Sequence, residues 1–344
     1  MALKPPVEVP QGAIRLNTDS QKLEFFAQDQ WWEMATTESA PLGGRGLWGG
    51  GQTAQYSYQN TIEYVTIATL GDAIDFGDLT NQRATYGSCA STTRGLFSGG
   101  KQTPSGNPQV ENNTIDYVTI ATQGNGTDFG DIVGDDKNHS IYGDHGCVGS
   151  QTRGLFAGGN GRRNTISYVT ITSTGNTQDF GDLVTAIEEP FGLSNPTRGI
   201  FGGDSPTALN LMEYVTIAST GNAKDFGDST ITRNTASGCS NGVRGFVAGA
   251  FNSPVYSNNI DFITVATTGN AQDWGDLTTK RMTDTASNKT RAVVKGAVYP
   301  HSAYGDNPQL DVYSLTTQGN ATDFGDSSAA AGFSGGLSNA HGGL

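Results

Sequence analysis

Cysteine, basic charge and long apolar runs are all scarce in this 344-residue chain. The three cysteines, Cys89, Cys147 and Cys239, form no C-x-x-C pair, and only Cys147 has a histidine close by, His145. That spacing argues against a structural zinc, and an odd number argues against a disulfide framework. Three small buried side chains is the simpler reading. Charged residues make up 15% of the chain, and 20 basic against 33 acidic residues leave a net charge of −13. A phosphate backbone needs clustered Lys and Arg, so the balance argues against nucleic acid as the main ligand. No run approaches the ~18 consecutive apolar residues of a membrane-spanning helix. Met1 to Gln11 lacks the basic start and apolar stretch of a Sec-type signal. The histidines, His139, His145, His301 and His341, follow no triad spacing. G-x-S-x-G, H-E-x-x-H and P-loop motifs are missing, and no cofactor or metal ion is called for.

Glycine, by contrast, is abundant: 48 residues, about twice its usual share. Much of it lies in an internal repeat. YVTIATLGDAIDFGDL at Tyr64 returns at Tyr117, Tyr168, Tyr214, Phe262 and Val312, at intervals of about 50 residues. A second signature precedes each copy, as in TRGLFSGG at Thr93 and TRGLFAGG at Thr152. It carries Arg45, Arg94, Arg153, Arg198, Arg244 and Arg291. A run of small residues comes before the arginine, and the three cysteines fall in such runs.

The segments are rich in Val, Ile, Thr, Tyr and Phe and are bounded by Gly-Gly, Gly-Asn and Gly-Asp pairs. They therefore read as short strands joined by tight turns. A period near 50 with about four strands per copy means propeller blades. The order of signatures resembles the kelch repeat: a small-residue strand, an apolar strand ending in Gly-Gly (Gly99-Gly100, Gly158-Gly159), a strand with a Tyr (Tyr117, Tyr168), and a short strand marked by an aromatic (Phe129, Trp274). The resemblance implies an all-β fold, a six-bladed kelch-like β-propeller over residues 43–344. Gly336-Leu337-Ser338-Asn339 repeats Gly192-Leu193-Ser194-Asn195, and the first blade has no small-residue strand of its own. The C-terminal strand is therefore expected to complete blade one and close the propeller.

Repeated residues serve the repeat before they serve a ligand. Each Asp-Phe-Gly-Asp is read as closing the preceding Gly-Asn or Gly-Asp turn, with calcium as the competing reading. The six arginines are expected either to pair with those aspartates or to hydrogen-bond turn carbonyls. Variation lies in the loops after Gly-Gly, on the face opposite the arginine turns. These loops carry the candidate ligand-binding residues Tyr56, Tyr58, Arg162, Arg163, Tyr256, Tyr299 and Tyr304, with His301 beside them. Tyr among Asn, Gln and Ser suits a sugar or protein contact surface. No catalytic residue is assigned. Glu188 and Glu189 with a distant Asp are the nearest approach to a glycoside-hydrolase pair.

Residues 1–42 lie outside the repeat. They read as an extended arm and a β-meander with strands at Ala13–Asn17, Lys22–Ala27 and Trp31–Thr36, too small to bury a core alone. Ile14, Phe25, Phe26, Trp31 and Trp32 are the candidate partner-anchoring residues. The stretch Gly12, Ile14, Arg15, Asn17, Thr18, then Leu23-Glu24-Phe25, then Trp31 or Trp32, resembles a module common in bacteriophage structural proteins. The TGNAxDFGDL repeat is similar to repeats of tail-fibre-like virion proteins, those of cyanophages among them. The resemblance implies a protein assembled in the host cytoplasm and carried on the virion surface. Residues 1–42 would meet other virion proteins and support self-association, and the propeller would face a host-surface glycan or protein. A tail-fibre or adhesin role is the expectation. A capsid decoration or knob protein is the alternative, and a host-polysaccharide-degrading enzyme is the second alternative.

Overall fold

A computed structural model describes residues 9–17, 22–33, 44–54, 57–84, 87–102, 110–133, 143–252, 255–296, 308–328 and 331–340. Among them there are strands and no helix. The chain separates into two compact units, Met1–Pro41 and Leu42–Leu344.

In the first unit, strands Ile14–Asn17, Lys22–Ala27 and Gln30–Glu33 form one antiparallel sheet in chain order. Gln28 and Asp29 close the second hairpin at φ of 52° and 60°, as a two-residue type I′ turn requires. The third strand starts one residue earlier than the sequence suggests, at Gln30. Residues 34–36 of the expected strand lie outside the described residues.

The second unit contains six four-stranded antiparallel sheets among the described residues. The first sheet combines Gly335–Ser338, Arg45–Gly49, Thr61–Thr66 and Ile74–Asp78. The second runs Gly87–Ala90, Arg94–Ser98, Thr114–Thr119 and Thr127–Asp131. The third runs Gly146–Gly149, Arg153–Ala157, Arg163–Thr170 and Gln178–Ile187. The fourth runs Phe191–Ser194, Arg198–Gly202, Leu209–Thr216 and Lys224–Arg233. The fifth runs Ser237–Ser240, Arg244–Asn252, Val255–Thr264 and Gln272–Asp276. The sixth runs Asp284–Ser287, Arg291–Lys295, Gln309–Ser314 and Thr322–Asp326. The C-terminal strand pairs with the arginine strand of the first sheet, Leu337 opposite Leu47.

Consecutive sheets share their cores, because both faces of each sheet are apolar. Leu155, Ile166 and Phe180 of the third sheet pack on Phe201 and Val215 of the fourth. Val293, Leu310 and Phe324 of the sixth pack in the same way on Trp48 and Val65 of the first. First strands of neighbouring sheets lie side by side, Gly335–Ser338 between those of the sixth and second sheets. They approach so closely that a Cβ on Gly192 would sit 1.9 Å from the Cys147 carbonyl oxygen. This crowding explains the small residues there. The three cysteines are buried in or beside these strands, and burial pushes the Cys239 thiol up to about 12.

The repeated signatures join one sheet to the next. Arg45 donates to Ile120 O (2.9 Å), Arg94 to Ile171 O (3.0 Å), Arg153 to Ile217 O (3.0 Å) and Arg198 to Val265 O (3.2 Å). Arg244 donates to Thr316 O, and Arg291 of the sixth sheet to Ala68 O of the first at 3.0 Å. Of the two expectations for the arginines, turn carbonyls are the partners found. Each guanidinium of the second to fourth sheets also lies over a tyrosine of its own sheet, Arg94 4.6 Å from the Tyr117 ring centre.

The Gly-Asn turn behaves differently from the expectation. It is not held chiefly by the Asp-Phe-Gly-Asp that follows it; it docks on the Asp-Phe-Gly-Asp of the preceding sheet. Gly124 N–H donates to Phe76 O (2.9 Å), Gly126 N–H to Asp78 O (2.7 Å), and Asn125 Oδ1 accepts from Asp78 N–H (3.1 Å). The same set joins the sixth sheet to the first: Gly71 to Phe324 O (3.0 Å), Ala73 to Asp326 O (2.7 Å), and Asp326 N–H to Asp72 Oδ1 (3.0 Å). The reason is the free outer edge of each fourth strand, whose backbone groups need partners.

One repeated feature escaped the sequence reading. The third strands carry buried Glu63, Asp116, Glu213, Asp261 and Asp311, with Ser167 in that place in the third sheet. Each carboxylate reaches back to the preceding sheet: Asp116 to Thr80 N–H (3.0 Å), Asp261 to Thr230 N–H (2.9 Å), Asp311 to Thr278 N–H (2.8 Å). Buried Arg83, Arg233 and Arg281 pair with those three aspartates at 3.1, 2.8 and 3.2 Å, and Lys295 pairs with Glu63. The signal was present as an acid before the repeated aromatic, in TIEYVT and TIDYVT.

The docked turn makes a comparison of two glycines informative. Gly77 and Gly124 have φ of 149° and 155°, but a Cβ on Gly77 would lie 2.5 Å from Gly124 O, whereas one on Gly124 meets open space. Gly124→Ala should cost only backbone strain, about 1–3 kcal/mol. Gly77→Ala should cost at least about 1 kcal/mol more. Urea unfolding of both variants tests this, and equal losses would contradict the docking.

Candidate functional site

With the repeated arginines, turns and acids engaged between sheets, chemistry that is not structural must lie where the sheets differ. Tyr56, Tyr299 and Tyr304, with His301, lie outside the described residues. Two other candidates do not display their rings. Tyr58 is 7% and Tyr256 3% exposed. Tyr256 lies opposite Phe251 in a hairpin extension of the fifth sheet, and the rings meet at 4.6 Å beside Met282. Alternation along the strand turns this tyrosine inward. Arg162 holds a left-handed backbone (φ 57°) and pairs with Asp204. Arg163 begins a strand and lies opposite Ile187. Of the four described candidates, two bury their rings and Arg162 is held by Asp204.

What does converge is the start of the first strands. All six sheets contribute to a cavity of about 70 Å³, lined by His145, Glu189, Thr235, Asp284 and Phe333 among others. Four residues two positions before a first strand are left-handed without being glycine: Asp144 (59°), Glu189 (52°), Thr235 (51°) and Phe333 (58°). Such conformations cost energy and recur at functional sites. They turn the chain sharply into the crowded centre and leave side chains at its entry.

The polar groups here are organised. Thr235 Oγ1 donates to Glu189 Oε2 at 2.7 Å, and Glu189 N–H donates to Asp144 O at 2.7 Å. Asp144 pairs with Lys101. Glu188 N–H donates to Asp204 Oδ1 at 3.0 Å, and Glu188 Oε2 accepts from Gly161 N–H at 3.1 Å. Glu189 and Glu188 thus bond Asp144 and Asp204 through their backbone N–H groups, not through paired carboxyls. Asp284 Oδ2 accepts from Ser334 N–H at 3.0 Å. Ser98 Oγ lies 2.8 Å from His145 Nε2.

Burial sets the proton affinities. It pushes the Glu189 carboxyl up to about 7, the Asp144 charge adding to the shift and Thr235 and Lys101 opposing it. Burial also raises Asp284 to about 7 against the Ser334 N–H and the Lys295 charge. Near neutral pH both carboxyls are therefore divided between donor and acceptor forms. Asp284, Thr235 and Phe333 were missed from sequence. At the first position of the first strand, the other five sheets have Gly87, Gly146, Phe191, Ser237 and Gly335, so Asp284 stood out there as the sole charge.

In the N-terminal unit, Ile14, Phe25 and Trp32 lie opposite one another across the three strands. They are 64%, 36% and 44% exposed, an apolar row on one face. Phe26 and Trp31 are half-buried. They pack edge to face at 5.3 Å on the other side, with Arg15 over Trp31 at 4.1 Å and bonded to buried Glu24 at 2.8 Å.

No family model matches the chain, and no curated protein matches it.

Asp284 gives a pH test. Its folded carboxyl binds a proton more tightly than its ordinary value of 3.8, up to about 7, so the folded state holds the extra proton between those limits. Raising pH through that window therefore removes stability. Asp284→Asn, which keeps an acceptor for Ser334, should gain melting temperature relative to the unsubstituted chain from about pH 4 to about pH 8. A constant difference across that range would contradict the assignment.

Proposed function

We propose that the second unit is a closed six-bladed kelch-like β-propeller and that the chain is a bacteriophage virion protein. In this reading the N-terminal sheet anchors the protein to the particle, and the propeller is displayed to bind the host surface without catalysis. Closure is supported by sheet-to-sheet contacts of one kind, which recur from the sixth sheet to the first at Arg291–Ala68, Gly71–Phe324 and the Phe324–Val65 core. It is supported too by the C-terminal strand on the first sheet.

The observation that carries the function is the contrast between the two units. A small sheet exposes Ile14, Phe25 and Trp32 in one row, and three strands are too few to bury a core alone. The larger unit uses its repeated residues for its own frame and gathers its differing polar side chains at one cavity. An anchor and a binding head is the division of labour these features suit, and the phage-like N-terminal motif and repeat point to a virion.

Gold-labelled antibody on purified phage particles, with cell binding by the full chain, tests the reading. Tail labelling with saturable cell binding is the expected result. Capsid labelling without cell binding would replace attachment with decoration. Absence from the particle would overturn both.

A further inference from the structure

The sixth sheet lacks a ring that the other five possess. In those five the arginine that opens the second strand lies over an aromatic side chain of the third strand. Arg45 is 5.0 Å from the Tyr64 ring centre, Arg94 4.6 Å from Tyr117, Arg153 4.7 Å from Tyr168, Arg198 4.6 Å from Tyr214 and Arg244 5.7 Å from Phe262. In the first four sheets the tyrosine also meets the repeated phenylalanine edge to face, with centres 5.8, 6.1, 5.9 and 6.1 Å apart. Where these four repeats read Tyr-Val, the sixth reads Val312-Tyr313. Successive side chains of a strand point to opposite faces, so the inversion carries the ring to the other side. Tyr313 lies 6.1 Å from Phe246 of the fifth sheet, with its hydroxyl 3.4 Å from Cys239 Sγ. Arg291 still donates to Ala68 O at 3.0 Å, but the side chain in the place of the ring is Val312.

The loss opens a space. Arg291 is exposed, whereas the other five arginines are half-buried. A pocket of about 600 Å³ is lined by Arg291, Val312, Ser314, Asn320 and Thr322 of the sixth sheet and by Leu70 of the first, among others. At the same hairpin of the third and fifth sheets, beside Tyr168 and Phe262, the pockets measure about 110 and 230 Å³ and stop short of the arginine. Leu70 is a second departure from the repeat at this one place. The other copies have Gln123, Thr174, Thr220, Thr268 and Gln318 there, and Leu70 is 65% exposed. One repeat has lost a ring, its neighbour has gained an exposed apolar side chain, and both changes line the same pocket.

We propose that this pocket binds a phenol ring from outside the chain, seated under the Arg291 guanidinium where other sheets hold their own tyrosine, with Leu70 beside it. Guanidinium planes stack on aromatic faces, and the other five sheets show the arrangement with an internal ring. A partner for the phenol hydroxyl is present. Tyr168 Oη donates to Gln178 Oε1 at 2.9 Å, and Thr322 stands opposite Val312 as Gln178 stands opposite Tyr168. A volume of about 600 Å³ lies within the span of small-ligand pockets, roughly 300–1,000 Å³, and leaves room for the group that carries the ring. A tyrosine side chain on another polypeptide and a small phenolic compound share this chemistry. The pocket follows from the repeat and does not depend on the virion reading.

The test is an NMR titration of the full chain with p-cresol and with N-acetyltyrosinamide, with cyclohexanol as the non-aromatic control. p-Cresol should bind saturably, with Kd roughly millimolar. Cyclohexanol should bind at least about threefold more weakly, because it offers no ring face to the guanidinium. Val312→Tyr, which fills the pocket as in the other sheets, should abolish binding and leave the urea midpoint no lower than that of the unsubstituted chain. Arg291→Ala, at an exposed side chain, should weaken binding at least about threefold and decides the matter if Val312→Tyr does not fold. Binding of N-acetyltyrosinamide as strong as that of p-cresol supports a tyrosine on a polypeptide as the source. Binding of p-cresol alone supports a small phenolic compound. Absence of saturable binding by both, equal binding of cyclohexanol, or p-cresol binding unchanged in the folded variants overturns the inference.

Discussion

A turn of backbone N–H groups docked on the outer edge of the neighbouring sheet is the constraint on which the rest of this molecule depends. A four-stranded sheet leaves its last strand with one unpaired edge, and that edge is a liability. Here the next sheet supplies the missing donors, Gly124 and Gly126 to Phe76 and Asp78, and an Asn side chain for the remaining N–H. The arrangement requires a glycine in the edge strand, because any Cβ at Gly77 would strike the docked turn. The Gly-Asn turn (Gly-Asp in the first repeat) and the Asp-Phe-Gly-Asp sequence are two halves of one contact, written in different repeats. The arginine on its neighbour's carbonyl and the buried acid reaching back to the preceding sheet tie the same seam at other depths.

Once the seams are fixed, the first strands have nowhere to go but together. Their approach excludes side chains larger than Gly, Ser, Ala or Cys over most of their length, as the 1.9 Å position at Gly192 illustrates. Room opens only where the chain enters. There the backbone bends through left-handed residues, and Glu189, Thr235 and Phe333 stand at the mouth. The carboxyls of Glu189 and Asp284 acquire raised proton affinities because the same crowding removes water from them. The frame thus produces the site: identical seams generate a polar cavity whose walls come from non-identical residues.

The sheets and their order were legible in the sequence because the repeat is strong and its turn glycines mark strand ends. The pairing of Gly335–Ser338 with Arg45–Gly49 followed from four residues shared with Gly192–Asn195. The direction of the contacts was not legible. Asp-Phe-Gly-Asp follows Gly-Asn in each repeat, so sequence proximity suggested a local turn, whereas the partner stands about 50 residues away. Exposure was misread for Tyr58 and Tyr256, since a polar loop composition does not reveal that a hairpin extends and turns its ring inward. The cavity was hidden for a similar reason. Its residues are far apart in the chain, and only Asp284, the sole charge at its repeat position, marked one of them.

Residue-resolved amide hydrogen exchange on the full chain tests the central claim, that the sixth sheet meets the first as every other pair meets. Gly71 and Ala73 donate to Phe324 and Asp326, as Gly124 and Gly126 donate to Phe76 and Asp78. The account predicts slow exchange at Gly71 and Ala73, in the same range as at Gly124, Gly175, Gly221 and Gly269. Free exchange at Gly71 and Ala73, with protection at the other turns, would mean an open row of sheets and would contradict it.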